Sequence, residues 1–271
     1  MRETLESIAT EAGRAILAVY DSSDFNVEMK SDDSPLTRAD LASHAVIVEA
    51  LARHFPEIPV LSEEGSLPPF SERQSWSRYF LIDPLDGTKE FIARNGEFTV
   101  NIALIDHGVP VVGIVHVPVL GVTYSGSVLD GDIGAWKVSD GQRQSIKARA
   151  LTKPIEQLVV VASRRHGAEA LDALLAQLRS HLPSIELTNM GSSLKLCLVA
   201  SGDADFYPRL APTSEWDTAA AHAVVLAAGG EVVDTSFAPL QYNTKDDILN
   251  PHFLVIGDPS IDWQSWLSGE E

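Results

Sequence analysis

The chain has 271 residues, with 20 Lys plus Arg against 38 Asp plus Glu, a formal charge of −18 with His neutral, and a single cysteine. So acidic a surface repels phosphate backbones and anionic lipid headgroups, which argues against charge-driven binding to nucleic-acid polymers or membrane surfaces. Cys197 alone excludes an intramolecular disulfide and a thiolate metal cluster, as expected of a protein from a reducing cytoplasm.

With 45% hydrophobic and 21% charged residues the composition is that of a globular chain, long enough for one large domain or two packed lobes. Met1 to Glu6 carry acids and no apolar run, so a secretory signal is not expected. No stretch approaches the ~18 apolar residues of a spanning helix.

Leu5, Ile8, Ala12, Ala15, Ile16 and Val19 recur at helical spacing, which predicts an amphipathic helix over the first twenty residues. A second helix is expected from Thr37 to Phe55, with Leu41, Ala45, Val48, Ala52 and Phe55 as its apolar positions. Thr37 and Asp40, three apart after Pro35, form a capping pattern with Asp in the Glu/Gln place. Val60-Leu61, Tyr79 to Ile82, Phe98 to Ile105 and Val109 to Val117 are β-branched and aromatic runs that predict strands. Asp106-His107-Gly108 between the last two predicts a hairpin. Gly121, Gly126, Gly131 and Gly134 punctuate shorter strands up to Lys137.

After about residue 150 the rhythm becomes strand, helix, strand, helix: Leu158 to Ala162, Ala168 to His181, Ile185 to Thr188, Ser192 to Ala200, Ala204 to Tyr207 and Asp217 to Ala228. Gly229-Gly230 ends the last helix. The expected architecture is a layered α/β fold in two lobes, 1–150 and 151–271, without repeats.

The chemistry is concentrated in acids at the ends of these elements. In Ile82-Asp83-Pro84-Leu85-Asp86-Gly87-Thr88 a buried strand ends at Asp83, Pro84 stops the ladder and Gly87 permits a tight turn, presenting two carboxylates at a sheet edge. An acidic turn of this kind is also common without any function. Glu63 and Glu64 follow a short apolar strand, where a solvated loop is the plain alternative, and Asp217 opens a helix, where an N-cap suffices. Four carboxylates about 5 Å apart would repel by about 3 kcal/mol per pair at an effective dielectric of about 20. If Glu63, Asp83, Asp86 and Asp217 converge they therefore need cations, and hard oxygen donors suit Mg²⁺. The haloacid-dehalogenase signature is set aside, because there the two acids are one residue closer and lie near the N-terminus.

Asp83-Pro84-Leu85-Asp86-Gly87-Thr88, the upstream Glu63-Glu64 and the downstream Trp216-Asp217-Thr218-Ala219-Ala220 resemble the lithium-sensitive, Mg²⁺-dependent inositol monophosphatase superfamily. Thr88-Lys89-Glu90-Phe91 continuing into Asn95 to Leu104, with Gly191-Ser192-Ser193-Leu194-Lys195 and Tyr207-Pro208-Arg209, is similar to its 3'(2'),5'-bisphosphate nucleotidase branch. The resemblance runs from Asp21 to Pro251. It implies an αβαβα sandwich of the inositol monophosphatase and fructose-1,6-bisphosphatase type. It also implies removal of the 3'-phosphate from 3'-phosphoadenosine 5'-phosphate to give AMP, and action on the corresponding phosphosulfate, which belongs to sulfur assimilation.

By the same resemblance Glu63, Asp83, Asp86, Asp217 and the Leu85 carbonyl hold two or three Mg²⁺ ions. Thr88, relayed to Asp40, orients the attacking water together with Glu63, with in-line attack and no phosphoenzyme. For Asp40 capping alone is the plain alternative, and for Thr88 a turn hydroxyl. Substrate contacts fall to Glu63, Leu85, Asp86, Gly87, Thr88, His166, Gly191, Ser192, Lys195, Arg209 and Asp217. Here Gly87 and Thr88 offer a turn to the scissile phosphate, and Gly191-Ser192 is expected to begin a helix whose N-terminus favours an anion. Surface charge is the alternative for Lys195 and Arg209, and a loop histidine for His166. The partner implied is a small nucleotide, for a cytoplasmic protein compatible with a homodimer, in a group where some relatives sit peripherally at the cytoplasmic side of the inner membrane. The rival functions are an inositol or sugar phosphatase on the same fold, against which Lys89-Glu90-Phe91 argues, and a non-catalytic nucleotide or phosphate sensor.

Overall fold

The computed structural model describes residues 1–22, 28–29, 35–162 and 168–267. The N-terminal apolar stripe forms α1 (Arg2–Tyr20), which buries Leu5, Ile8, Ala12 and Ile16. A short antiparallel pair, β1 (Glu28–Met29) and β2 (Pro35–Leu36), leads into α2 (Arg38–His54). Thr37 caps α2 as its sequence predicts: its hydroxyl accepts from the Ala39 N–H at 3.2 Å, and Asp40 accepts from the Thr37 N–H at 2.8 Å.

The buried face of α2 is rotated from that expected, although Val48 and Phe55 do pack, partly buried, against the core. Leu41 is 49% exposed and Ala45 and Ala52 face solvent, whereas Ala39, Ser43, Ile47, Ala50 and Leu51 are buried. Both stripes have helical spacing. The small residues Ala39, Ser43 and Ala50 allow a closer approach of the helix to its neighbours, and this outweighs the extra area that Leu41 would bury.

The first sheet takes its seven strands in chain order: β3 (Val60–Ser62), β4 (Arg78–Asp86), β5 (Thr99–Asp106), β6 (Val109–Val117), β7 (Val122–Ser127), β8 (Gly134–Ser139) and β9 (Gln142–Ile146). The short helices α3 (Phe70–Arg73) and α4 (Thr88–Ile92) lie in its connections. β3 runs parallel to β4, and each later pair is antiparallel. The β5–β6 hairpin closes through His107 and Gly108 at φ of 49° and 78°, the positive values that its two-residue turn demands. Strand β9 was not anticipated, because only Ile146 of its residues is buried and apolar.

Strand β4 corrects a second expectation. It does not stop at Asp83. Pairing with β5 lapses after Asp83↔Asn101 and resumes at Asp86↔Thr99, so three steps on β4 match two on β5. Pro84, which has no N–H to give the ladder, sits in this bulge. The Ser43 hydroxyl donates to the Pro84 carbonyl at 2.7 Å and the Leu85 N–H to Asp83 Oδ1 at 3.0 Å, satisfying the groups that the bulge leaves over.

The second half supplies β10 (Gln157–Ala162), α5 (Ala168–His181), β11 (Ser184–Asn189), α6 (Leu194–Ala200), β12 (Phe206–Arg209), α7 (Glu215–Ala227), β13 (Glu231–Asp234), β14 (Phe253–Ile256) and α8 (Trp263–Leu267). Its sheet has the order β11-β10-β12-β14-β13. Two helix starts move from their expected places. Ser192 has φ of 43°, outside the helical range, so α6 begins at Leu194 behind Ser193. Helix α7 begins at Glu215, with Ser214 as its cap and Asp217 as the third helical residue closing a capping box.

The layers follow from which strand faces bury what. On β4 and β5, Phe80, Ile82, Val100, Ile102 and Leu104 pack with α1 and α2. The alternate residues Tyr79, Leu81, Ala103 and Ile105 pack with α6, α7 and one face of the second sheet, as the two-residue period of a strand requires. The outer face of that sheet, with Leu158, Val160 and Phe206, is covered by α5 and the region of Trp263. The result is an αβαβα sandwich, in which α7 from the second half lies directly on the first sheet. No helix of the described residues is long and apolar enough to cross a membrane.

Two buried histidines, His116 against α1 and His222 on α7, give the sandwich a pH signature. His116 meets the Thr123 hydroxyl at 2.9 Å and His222 the Tyr242 hydroxyl at 3.0 Å, and burial lowers their pKa values to about 4 and about 3. Both are neutral in the folded state, so their contribution is complete above the unfolded value near 6.5 and is lost as pH falls. From pH 7 to 5 each loses roughly 2 kcal/mol, at about 1.4 kcal/mol per pH unit below 6.5. Buried carboxylates with raised pKa values act in the opposite sense, so a difference measurement isolates the imidazoles. Urea unfolding of wild type and His222→Phe at both pH values is expected to show a steeper acid loss in wild type. Parallel losses would contradict it.

Candidate active site

The bulge in β4 decides the geometry at its end. In an unbroken strand, residues three apart point to opposite faces. The extra residue restores Asp86 to the face of Asp83, which continues the Tyr79–Leu81 alternation toward α7. Parallel pairing of Ser62 with Ile82 sets Glu63 beside Asp83, and the Glu63 N–H bonds the Ile82 carbonyl at 3.2 Å. Helix α7 brings Asp217 from the other side. Its Oδ2 accepts from the Ser214 N–H at 2.9 Å.

The four acids expected to converge thus do gather. Asp83 is buried, and its pKa is pushed well up, first by burial and then by the charges of Glu63, Asp86 and Asp217. Asp217 is raised for the same reasons, burial leading and Asp86 next. Asp86 rises only to about 6, because Lys195 and the Ser193 N–H counter its burial. Among the described residues the acidic side chains are not drawn onto one point as ion ligands. They stand within electrostatic reach of one another, and Asp83 and Glu63 are in hydrogen-bond contact.

Asp40 divides its two oxygens. Oδ2 takes the Thr37 N–H at 2.8 Å and the Thr37 hydroxyl at 2.6 Å, while Oδ1 lies 3.4 Å from the Thr88 hydroxyl. Capping and contact with Thr88 are therefore not alternatives. Burial raises the Asp40 pKa and the bonds from Thr37 oppose it. Thr88 opens α4 after Gly87, whose φ of 93° forms the turn. Leu85 is buried between the two aspartates of its strand.

Beside the acids lies a cavity of about 270 Å³ whose lining includes Asp86, Gly87, Lys89, Ser192, Lys195, Tyr207, Arg209 and Asp217. Acidic and cationic groups share this lining, Lys195 interacting with Asp86 and Arg209 with Asp217. The Lys195 ammonium donates to the Ser192 carbonyl at 2.6 Å and the Met190 carbonyl at 3.3 Å. Burial lowers its pKa and Asp86 supports its charge. The Arg209 guanidinium donates to the carbonyls of Ala211 at 3.2 Å and Pro212 at 3.0 Å. Gly191 lines the cavity with its backbone against Glu97, where a Cβ would lie 2.8 Å from the Glu97 carbonyl oxygen. Ser192 is there too, but in a turn before α6 and not in a helix. His166 lies outside the described residues.

Three buried residues beside Asp86 escaped the sequence reading: Thr99, Asn101 and Ser193. The available signal was the placing of Thr99 and Asn101 at alternate positions of an otherwise apolar strand, on the same face as the buried Ala103 and Ile105.

This fold and this gathering of acids at the ends of β3, β4 and α7 define a class. The Inositol monophosphatase family profile matches residues 1–256, and the chain belongs to that family, whose enzymes are metal-dependent. Among curated relatives, the 3'(2'),5'-bisphosphate nucleotidase CysQ of Escherichia coli is 50% identical over 256 residues, covering 94% of this chain and 99% of the relative. The crystal structure of CysQ from Bacteroides thetaiotaomicron, described as a bacterial member of the inositol monophosphatase family, matches with a TM-score of 0.80 and 42% identity, over 94% of this chain and 95% of that one. An inositol monophosphatase from Anabaena matches with a TM-score of 0.70 and 26% identity, over 95% and 90% of the two chains.

Proposed function

We propose that the protein is a Mg²⁺-dependent phosphatase that cleaves the 3'-phosphate of 3'-phosphoadenosine 5'-phosphate, releasing AMP and phosphate, and treats the corresponding phosphosulfate in the same way. The observation that carries this reading is the mixed acidic and cationic lining of the cavity. Asp86 and Asp217 share the lining with the cations Lys89, Lys195 and Arg209, so side chains able to hold a second phosphate stand beside the acids that would hold the ions. Tyr207, Met190, Leu196 and Phe253 add apolar surface to the same lining, a place for a base.

The donor set fits the ion. Carboxylate oxygens of Glu63, Asp83, Asp86 and Asp217, with the Leu85 carbonyl, are hard ligands, and mutual repulsion leaves them in need of positive charge. Bound divalent cations would supply that charge, polarise the phosphoryl oxygens and stabilise the leaving oxygen. Two or three ions belong to this reading.

The remaining chemistry falls to the chain's own groups. Because Thr37 occupies Asp40 Oδ2, only Oδ1 is left to receive the Thr88 proton. That fixes the direction of the Thr88 hydroxyl. Its lone pairs then face outward to accept a hydrogen bond from the attacking water and hold the water in line. Glu63 takes part in the same orientation, and the turn at Gly87-Thr88 offers N–H groups to the scissile phosphate. Lys195 and Arg209, with Gly191 and Ser192, receive the distal phosphate, as does His166 in this reading. A cytoplasmic location belongs to the same reading.

The rival is an inositol monophosphatase, favoured only by the fold it shares with the Anabaena protein. It would leave Lys195 and Arg209 without a second phosphate. With millimolar Mg²⁺, phosphate release from 3'-phosphoadenosine 5'-phosphate is expected to exceed that from inositol 1-phosphate by roughly 10²-fold in kcat/KM, the loss of one desolvated charged contact being worth about 2–3 kcal/mol. A preference for the inositol ester would overturn the proposal.

A further inference from the structure

Asp86 is held by more than its neighbours in the acidic group. Its Oδ2 accepts the Ser193 N–H at 2.6 Å and is approached by Asn101 Nδ2 at 3.4 Å. The amide of Asn101 is not free to turn over. Its Oδ1 lies 3.1 Å from the Thr99 hydroxyl and 2.9 Å from the Ser193 hydroxyl, which donate to it, and those hydroxyls are 2.9 Å from each other. The Asp86 carboxylate can only accept, so the amide group facing it is the NH₂, and the carbonyl oxygen is left to the two hydroxyls. All three residues are buried. Their elements are far apart in the chain: Thr99 and Asn101 stand on β5, opposite Asp86 and Asp83 in the register, and Ser193 stands at the foot of α6.

We propose that Thr99, Asn101 and Ser193 are positioning residues, a hydrogen-bonded clamp between the two halves of the molecule that fixes the orientation of the Asp86 carboxylate and thereby sets the affinity for the divalent cation. The clamp rests on the metal reading of the preceding subsection. With Oδ2 engaged from both β5 and α6, the carboxylate has one permitted rotation, and a ligand held in place loses less freedom when the ion binds. Without the amide, Asp86 would turn in a cluster where its neighbours repel it. The backbone contributes as well, since the positive φ of Ser192 is what turns the Ser193 N–H toward β4.

The test is the Mg²⁺ concentration at which the melting temperature has risen halfway to its limit, measured without substrate, for wild type, Asn101→Leu, Thr99→Val and Thr99→Ser. Outer partners of metal ligands are worth roughly 10–100-fold in affinity. Asn101→Leu is expected to raise the Mg²⁺ midpoint about tenfold or more, and Thr99→Val by a smaller factor. Thr99→Ser, which keeps the hydroxyl, should restore the wild-type value. Saturating Mg²⁺ should recover most of kcat in each, as a general packing defect would not. If Asn101→Leu fails to fold, the pair at Thr99 still decides. Equal midpoints for wild type and Thr99→Val, with Mg²⁺ raising the melting point of both, overturn the clamp alone. A wild-type melting point indifferent to Mg²⁺ overturns the metal reading and the clamp together.

Discussion

Asp83→Asn is expected to lower kcat/KM for the bisphosphorylated nucleotide by roughly 10³-fold or more while making the Mg²⁺-free protein harder to unfold. The two effects have one cause. Asp83 is 1% exposed and stands among Glu63, Asp86 and Asp217, so in the absence of cations its ionised form is costly. Asparagine has the same shape and keeps the oxygen that accepts the Leu85 N–H at 3.0 Å. It removes one charge from a repelling group, worth about 1–3 kcal/mol of stability on the scale of buried polar replacements. The same charge is what a divalent ion needs. The variant should therefore melt higher than wild type in chelator and gain little from added Mg²⁺, whereas wild type gains more. Unchanged turnover at saturating Mg²⁺ would show that Asp83 is not a metal ligand.

Gly113→Ala is expected to cost at least about 3 kcal/mol of unfolding free energy, although alanine is a better strand residue than glycine. A Cβ at Gly113 would lie 2.7 Å from the Ala223 Cβ and overlap the Ala220 carbonyl oxygen of α7. Neither neighbour is a flexible side-chain end. One strand over, a Cβ at Gly126 would come within 2.6 Å of the Val224 Cα, so the helix cannot shift sideways to make room. It must lift off the sheet. Since α7 carries Asp217 in its first turn, the lift also separates Asp217 from Asp83, and activity should fall by more than the unfolded fraction explains. Urea titration alongside residual kcat reads both effects. An alanine variant as stable as wild type would mean that α7 does not ride on these glycines.

Much of this molecule was legible locally. The stripe of α1, the capping pair of Thr37 and Asp40, the turn at His107-Gly108 and the strand–helix alternation after residue 150 are short-range patterns, set by side-chain period and backbone preference. Misreadings arose where a distant partner decided. Leu41 looked like core and is exposed, because the close approach of small residues selects the other stripe of α2. Pro84 looked like the end of a ladder and is a bulge, because β5 supplies Thr99 to pair with Asp86 beyond it. Ser192 looked like the start of a helix and is a turn, held there by Lys195 and by the contact of Ser193 with Asp86. Strands β13 and β14 went unanticipated, four residues each, too short for a periodic signal.

The site divides in the same way. Glu63, Asp83, Asp86, Thr88 and Asp217 were recognisable from their motifs, and so was the family. What the residues could not say is that they meet, or that Thr99, Asn101 and Ser193 hold one of them.

The sequence by itself determined the inventory: the acids, the turn at Gly87, the capping pairs and the alternating strands, each fixed by neighbours a few residues away. The tertiary structure alone decided their convergence. It required a parallel pairing that brings β3 to β4, one extra residue that returns Asp86 to the face of Asp83, and two glycines that let α7 lie against the sheet with Asp217 at its tip. Like charges do not assemble for their own sake. They are gathered here because the burial of apolar surface around them, in α7 and both sheets, outweighs the repulsion at their ends.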